Sequence, residues 1–301
     1  MKYLILISLV LLASCGTSTK KEVVNKDVPF YWIDNADFKP VEEISYDEGD
    51  DYYSGDIEEQ DSVSVETMAK IPPSRLMDLV DENDPISKPI SLCYQNNFVA
   101  AFNKFDRTYK KLKNNASYWN QVGTCYLLKG ETRKSLLYYN KARDLVKDYS
   151  PAINNIGIIH FKNGNKEKAM AAFKEAYDLN QFSLTPAYNL AMLYLQYGFI
   201  TKAEPLLVAL YKRNNKDVDI VNGLAHLYMM KGNYAKAVQA FSLLPSDVMN
   251  KPQVSISMGY ALYKFGRKDQ ALNVLKGVEA SLTPDFSKYY VKITKIIREG
   301  K

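Results

Sequence analysis

Histidine is almost absent from this chain. Its 301 residues contain two, His160 and His226, and cysteine, at three, is scarce as well. Neither histidine stands at a metal-pair spacing with cysteine or carboxylate, so no metal centre is expected. No glycine-rich phosphate loop and no G-x-S-x-G nucleophile turn occurs. These absences argue against metal-dependent, nucleotide-hydrolysing and elbow-serine chemistry, so the chain reads as a non-enzyme that needs no cofactor. The apolar run from Tyr3 to Leu12 is too short to cross a bilayer, which takes about 20 residues in a helix.

What the chain does contain is a period. Gly130, Gly164, Gly198, Gly232 and Gly266 recur every 34 residues, each seven residues after a small one: Gly123, Gly157, Ala191, Ala225 and Gly259. That length holds two short antiparallel helices with their turns, and a stack of such pairs buries a core that a single pair could not. A second small residue recurs as Ser135, Ala169, Ala203, Ala237 and Ala271. Small residues facing one another let two helices approach closely, and glycine can adopt the positive φ of a tight helix–helix turn.

The first full unit reads Trp119, Val122, Gly123, Tyr126, Gly130, Ser135, Tyr139 and Ala142. Later units keep the pattern with Ile156, His160 and Phe173; Leu190, Tyr194 and Leu207; Leu224, Tyr228 and Phe241; Met258, Leu262 and Leu275. This pattern resembles the tetratricopeptide repeat. The resemblance implies an all-α domain over 86–301, a right-handed superhelical solenoid with full repeats at about 116–149, 150–183, 184–217, 218–251 and 252–283. Upstream, Phe98, Ala101, Phe105 and Tyr109 match the second helix of a degenerate opening unit, whose first helix around Ile86–Gln95 is expected to be interrupted by Pro89. Downstream, a helix over 284–299 with Tyr289, Tyr290, Ile293 and Ile297 is expected to cap the open end. His160 fills a slot held by tyrosine elsewhere, which points to a place in the core.

The N-terminus has a different character. Lys2, the apolar run and Leu12-Ala13-Ser14-Cys15 resemble a bacterial lipoprotein signal: residues 1–14 would be removed and Cys15 would carry lipid. Two or more acyl chains anchor stably where one is marginal. Gly16 follows the cysteine, and by the enterobacterial sorting rule a residue other than aspartate there implies the outer membrane, facing the periplasm. Residues 16–85 then hold 19 acidic side chains against 6 basic ones, without an apolar period. Such a segment, 15–85, reads as a disordered acidic tether, spanning roughly 45–50 Å as a flexible coil. Two apolar clusters interrupt it, Phe30–Ile33 and Leu76–Val80, read as docking motifs or as packing on the chain's own repeats.

From Ile86 onward the balance reverses, with 32 Lys and Arg against 15 Asp and Glu. A chain divided in this way suggests that the tether folds back on the repeats, or that the two halves meet partners of opposite sign. Arg133, Lys134, Lys141, Lys166, Lys168 and Lys174 fall on second helices and so on the outer surface. Nucleic acid is not expected as a partner because the chain is read as exported. Cys93 and Cys125 are read as two buried thiols, with a disulfide as the alternative in an oxidising compartment.

The resemblance also implies a groove lined by the first helices. Its contact positions fall on Asn120 in the first unit, on Asn154, Asn155 and Ile158 in the second, and on Tyr188, Asn189 and Met192 in the third. They continue on Asn222, His226 and Met230 in the fourth and on Tyr260 in the fifth. Amides can hold a peptide backbone, and methionine and tyrosine adapt to apolar side chains. No dense basic cluster lies there, which argues against a clamp for C-terminal carboxylates. The chain is therefore expected to be a lipid-anchored envelope scaffold binding a protein or peptide partner. The alternative is an anionic polymer or lipid held by the basic repeat surface.

Overall fold

The computed structural model describes Thr67, residues 85–278 and residues 281–300. The signal, Cys15 and the acidic tether with its two apolar clusters lie outside the described residues, Thr67 apart. Among the described residues every regular element is a helix: α1 Ser87–Tyr94, α2 Phe98–Leu112, α3 Ala116–Leu128, α4 Thr132–Leu145, α5 Ser150–Lys162, α6 Lys166–Leu179 and α7 Leu184–Gln196. They continue as α8 Ile200–Arg213, α9 Val218–Met230, α10 Tyr234–Phe241, α11 Ser246–Met249, α12 Pro252–Lys264, α13 Lys268–Lys276 and α14 Pro284–Glu299. Consecutive helices pair into hairpins, and the second helix of each hairpin packs on the first helix of the next. The first helices α1, α3, α5, α7, α9 and α12 also touch one another in succession and form the inner row.

One turn geometry repeats along the stack. In the first full unit the Gly130 amide donates to the Leu127 carbonyl at 3.0 Å and the Glu131 amide to Tyr126 at 2.9 Å, with Gly130 at φ 85°. This pairing closes a helix end by satisfying carbonyls that would otherwise be orphaned. The same two bonds recur at Gly164, Gly198, Gly232 and Gly266. They recur once more at Asn96, which takes the glycine's place with φ 60°; asparagine is among the few residues that visit this region. The opening unit therefore shares the turn of the others. At the far end Gly300 has φ 71°, again 34 residues after Gly266, so α14 stands in first-helix register.

Side-chain packing follows the same period. Phe105, Tyr139, Phe173, Leu207, Phe241 and Leu275 are buried on the second helices. Each large residue needs a small neighbour on the first helix. A Cβ placed on Gly123 would stand 2.7 Å from the Tyr139 ring, and one on Gly157 2.7 Å from the Phe173 ring.

Three expectations need correction. Pro89 does not interrupt α1; it sits in the first turn, where its missing N–H would have no intrahelical partner anyway. With α1 intact, Cys93 and Cys125 face each other on neighbouring first helices at a Cα separation of 5.3 Å, and they form a disulfide, not two thiols. His160 is half-buried, not a core residue, as are Tyr126, Tyr194 and Tyr228 in the same slot.

Candidate partner-binding groove

The inner row carries a ladder of amides. Asn189 on α7 donates from Nδ2 to Asn154 Oδ1 on α5 at 2.8 Å. Asn154 donates in turn to Asn155 Oδ1 at 3.0 Å, and Asn155 donates to Asn120 Oδ1 on α3 at 3.1 Å. Thr124 and the Tyr139 hydroxyl extend the network, their oxygens 3.1 Å apart. A carboxamide both donates and accepts, so asparagines 35 residues apart on successive first helices can bond to each other. All four are buried. These residues, expected as peptide contacts, therefore spend polar groups on joining repeat to repeat.

The next repeats are joined differently. On α9 a Cβ at Gly223 would meet Leu207 at 3.1 Å and Met192 and Tyr188 at 3.2 Å, so glycine lets α9 close against α7 and α8 without pressing on those side chains. His226 Nε2 lies 3.2 Å from Ser257 Oγ on α12, and Ser257 donates its hydroxyl proton to the Gln253 carbonyl. That leaves Ser257 Oγ as acceptor and Nε2 as the protonated nitrogen. Burial pushes the His226 pKa down to about 4, so the ring is neutral. His160 is also lowered, by burial and then by Lys168.

Of the eleven groove residues read from the sequence, Asn120, Asn154, Asn155, Ile158, Tyr188, Asn189, Met192, Asn222, His226 and Tyr260 are buried. Met230 is half-buried. The last position of each of these first helices stays accessible: Leu128, Lys162 and Lys264 are exposed, and Gln196 and Met230 are half-buried.

On the outer helices Arg133, Lys134, Lys141, Lys168 and Lys174 are exposed and Lys166 is half-buried. Several lysines lie over the chain's own rings: Lys134 is 5.2 Å from the Tyr126 centroid, Lys202 5.4 Å from Phe199 and Lys166 5.8 Å from Tyr197. Glu131 takes both Lys129 and Lys134 as ion-pair partners. The basic character of this face is thus partly spent within the molecule.

Paired helices in a 34-residue register, closed by one recurring turn, fit a known repeat, and profiles of the tetratricopeptide repeat match residues 150–182 and 194–258. Residues 150–182 and 194–258 are tetratricopeptide repeats, and the flanking hairpins close with the same turn. A search of curated proteins finds no match. Among solved structures, this tetratricopeptide-repeat chain resembles the APC/C heterotetramer Cut9–Hcn1 at 20% identity and a TM-score of 0.56, over 66% of this chain and 39% of that one. It also resembles PilF of Pseudomonas aeruginosa at 14% identity and a TM-score of 0.56, over 69% and 96% of the two chains. PilW, a type IV pilus biogenesis factor, matches at 14% identity and a TM-score of 0.56 over 68% and 96%. At these identities the likeness establishes the fold. Repeats of this kind mediate contacts between proteins.

Proposed function

We propose that this tetratricopeptide-repeat chain is a lipid-anchored scaffold of the bacterial cell envelope. It holds a protein or peptide partner along the inner face of its repeats and so assists assembly of an envelope machine. The observation that carries this reading is the repeat stack itself, whose inner row presents accessible Leu128 and Met230 beside an amide ladder. Leucine and methionine suit apolar side chains. PilW is named as a pilus biogenesis factor, which favours a pilus or secretion assembly among envelope machines. The Cys93–Cys125 disulfide supports export, because structural disulfides persist in oxidising compartments and are rare in the bacterial cytosol. The lipid on Cys15 sets where the domain is held, and the tether sets its reach.

Cross-linking in native cells tests the reading. A photoreactive residue at Met230 is better placed than one at Tyr188, which is 0% exposed. One dominant envelope protein trapped by Met230 supports the scaffold. Capture that instead depends on the outer lysines, and that falls steeply with ionic strength, would move the function to an anionic polymer or lipid.

A further inference from the structure

The glycine turns share one edge of the stack, because each joins the end of a first helix to the start of the second helix beside it. Four consecutive turns, those of α5–α6, α7–α8, α9–α10 and α12–α13, give that edge charge of one sign. Residues 162–168, 196–204, 230–236 and 264–269 hold nine Lys and Arg against three Asp and Glu. Two of the three carboxylates are engaged within the molecule: Lys231 donates to both oxygens of Glu204, at 2.7 and 2.9 Å, and the Tyr197 hydroxyl donates to Glu167 at 3.3 Å. Lys162, Lys202, Lys236, Lys264, Arg267 and Lys268 stand exposed. The opposite edge, made by the connections between hairpins, has no such excess: residues 145–150, 179–184, 213–218 and 245–252 hold four basic side chains against three acidic ones.

Exposed rings stand among these cations. Tyr197 and Phe199, on either side of Gly198, are stacked with centroids 5.8 Å apart and are 37% and 43% exposed. Phe265, just before Gly266, is 40% exposed. The Lys202 ammonium lies 5.4 Å from the Phe199 centroid and the Arg267 guanidinium 4.7 Å from that of Phe265. Between the α9–α10 and α12–α13 turns the edge is indented by an open cavity of about 470 Å³, lined in part by Lys231, Tyr234, Lys264 and Phe265. Aromatic rings settle at the level of lipid headgroups, and long cationic side chains beside them bury their stems while the charge reaches phosphate. The opposite edge also exposes apolar side chains, Val146 and Leu243 among them, but without the cations. The rings are tips from separate turns, and the packed helices that carry them lie roughly 8–10 Å apart. A broad anionic surface can meet several such tips at once.

We propose that this edge docks on the headgroup layer of an anionic lipid bilayer, with Tyr197, Phe199 and Phe265 entering the interface and the surrounding cations meeting lipid phosphates. The cavity gives one headgroup room beside Lys264. The attachment uses neither the inner row nor the outer lysines, and it needs no lipid on Cys15. It fixes an orientation: the helices stand on end over the membrane, and a partner held along the inner row runs parallel to it. Each basic residue close to such a surface strengthens binding about fivefold, and salt weakens that contribution by screening.

The test uses the whole chain from residue 15 onward with Cys15→Ser, so that no acyl chain contributes. Vesicles of equal parts phosphatidylglycerol and phosphatidylcholine should sediment the protein, and vesicles of phosphatidylcholine alone should leave it in solution. Lys202→Glu with Arg267→Glu should weaken binding by about 25-fold or more, the loss of two such contributions. Arg133→Glu with Lys141→Glu, the same change of charge on the outer helices, should keep it within about fivefold of the parent. All four side chains are exposed, so the fold is kept. Depth is read separately: Phe199→Trp should be quenched by brominated acyl chains beyond the parent's level, and Leu243→Trp on the opposite edge should not. No sedimentation, equal losses from the two charge pairs, or quenching at residue 243 without quenching at 199 would overturn the proposal. Poly-glutamate bound through Lys202 and Arg267, with no quenching at residue 199, would overturn it in favour of an acidic polymer. Vesicles contain no protein, so these outcomes are independent of whether Met230 captures a partner in cells.

Discussion

Reducing the Cys93–Cys125 bond should loosen one end of the molecule and leave the middle untouched. The bridge joins α1 to α3 across a sequence separation of 32. Loop-closure entropy for a ring of that size corresponds to about 3.7 kcal/mol, an upper bound that assumes an unstructured reduced state. In a linear stack each repeat draws its stability from itself and its neighbours. The loss therefore falls on α1 and α2, which end the array. Hydrogen exchange followed by mass spectrometry reads it directly: amides of α1 and α2 should exchange up to about 500-fold faster after reduction, the factor equivalent to 3.7 kcal/mol. Amides of α7 to α10 should keep their rates. Cys93→Ser with Cys125→Ser should reproduce the pattern without reductant. Equal acceleration along the whole chain would refute the view of the stack as locally coupled. No acceleration in α1 and α2 would show that the apolar contacts of Ile90, Phe105, Tyr118 and Val122 hold the opening repeat unaided.

Other substitutions probe the remaining contacts. Gly157→Ala should cost more than Gly198→Ala in a denaturant titration: the first drives a Cβ to 2.7 Å from the Phe173 ring, the second meets nothing within 4 Å and bears the cost of positive φ alone, about 1–2 kcal/mol. Asn155→Ala removes the donor to Asn120 Oδ1 and should destabilise by about 1–3 kcal/mol, since a buried acceptor is left unsatisfied; a cycle with Asn120→Ala should show coupling between the two. His226 gives a pH dependence. Its folded pKa lies below the unfolded value of 6.5, so between 6.5 and about 4 the unfolded chain binds a proton that the folded chain does not. Stability is then lost as pH falls through that window, by up to about 3 kcal/mol. Thermal melts of His226→Gln should lack that part of the slope.

The period was legible because it is local. A glycine seven residues after a small residue, repeated at 34, reports a helix, its turn and its close packing within one unit. Asn96 escaped that reading because asparagine stands where glycine was sought, although its backbone makes the same two bonds. The disulfide escapes it because proline in a sequence reads as a break, while the first turn of a helix accommodates Pro89. Asn120, Asn154, Asn155 and Asn189 form a series along the inner row. Their amides were assigned outward to a peptide, whereas they reach one another across α3, α5 and α7.

By itself, then, the sequence determined the helices, their turns, their order and the division of charge between the first 85 residues and the rest. Each of those is encoded in a stretch no longer than one repeat or in composition alone. Tertiary structure decided which side chains are spent. Whether Asn155 meets a peptide or Asn120, whether Cys93 meets solvent or Cys125, and whether His226 is charged or neutral depend on distances between residues 31 to 35 apart along the chain. Those distances exist once one hairpin has packed against the next, and no pattern within a single hairpin contains them.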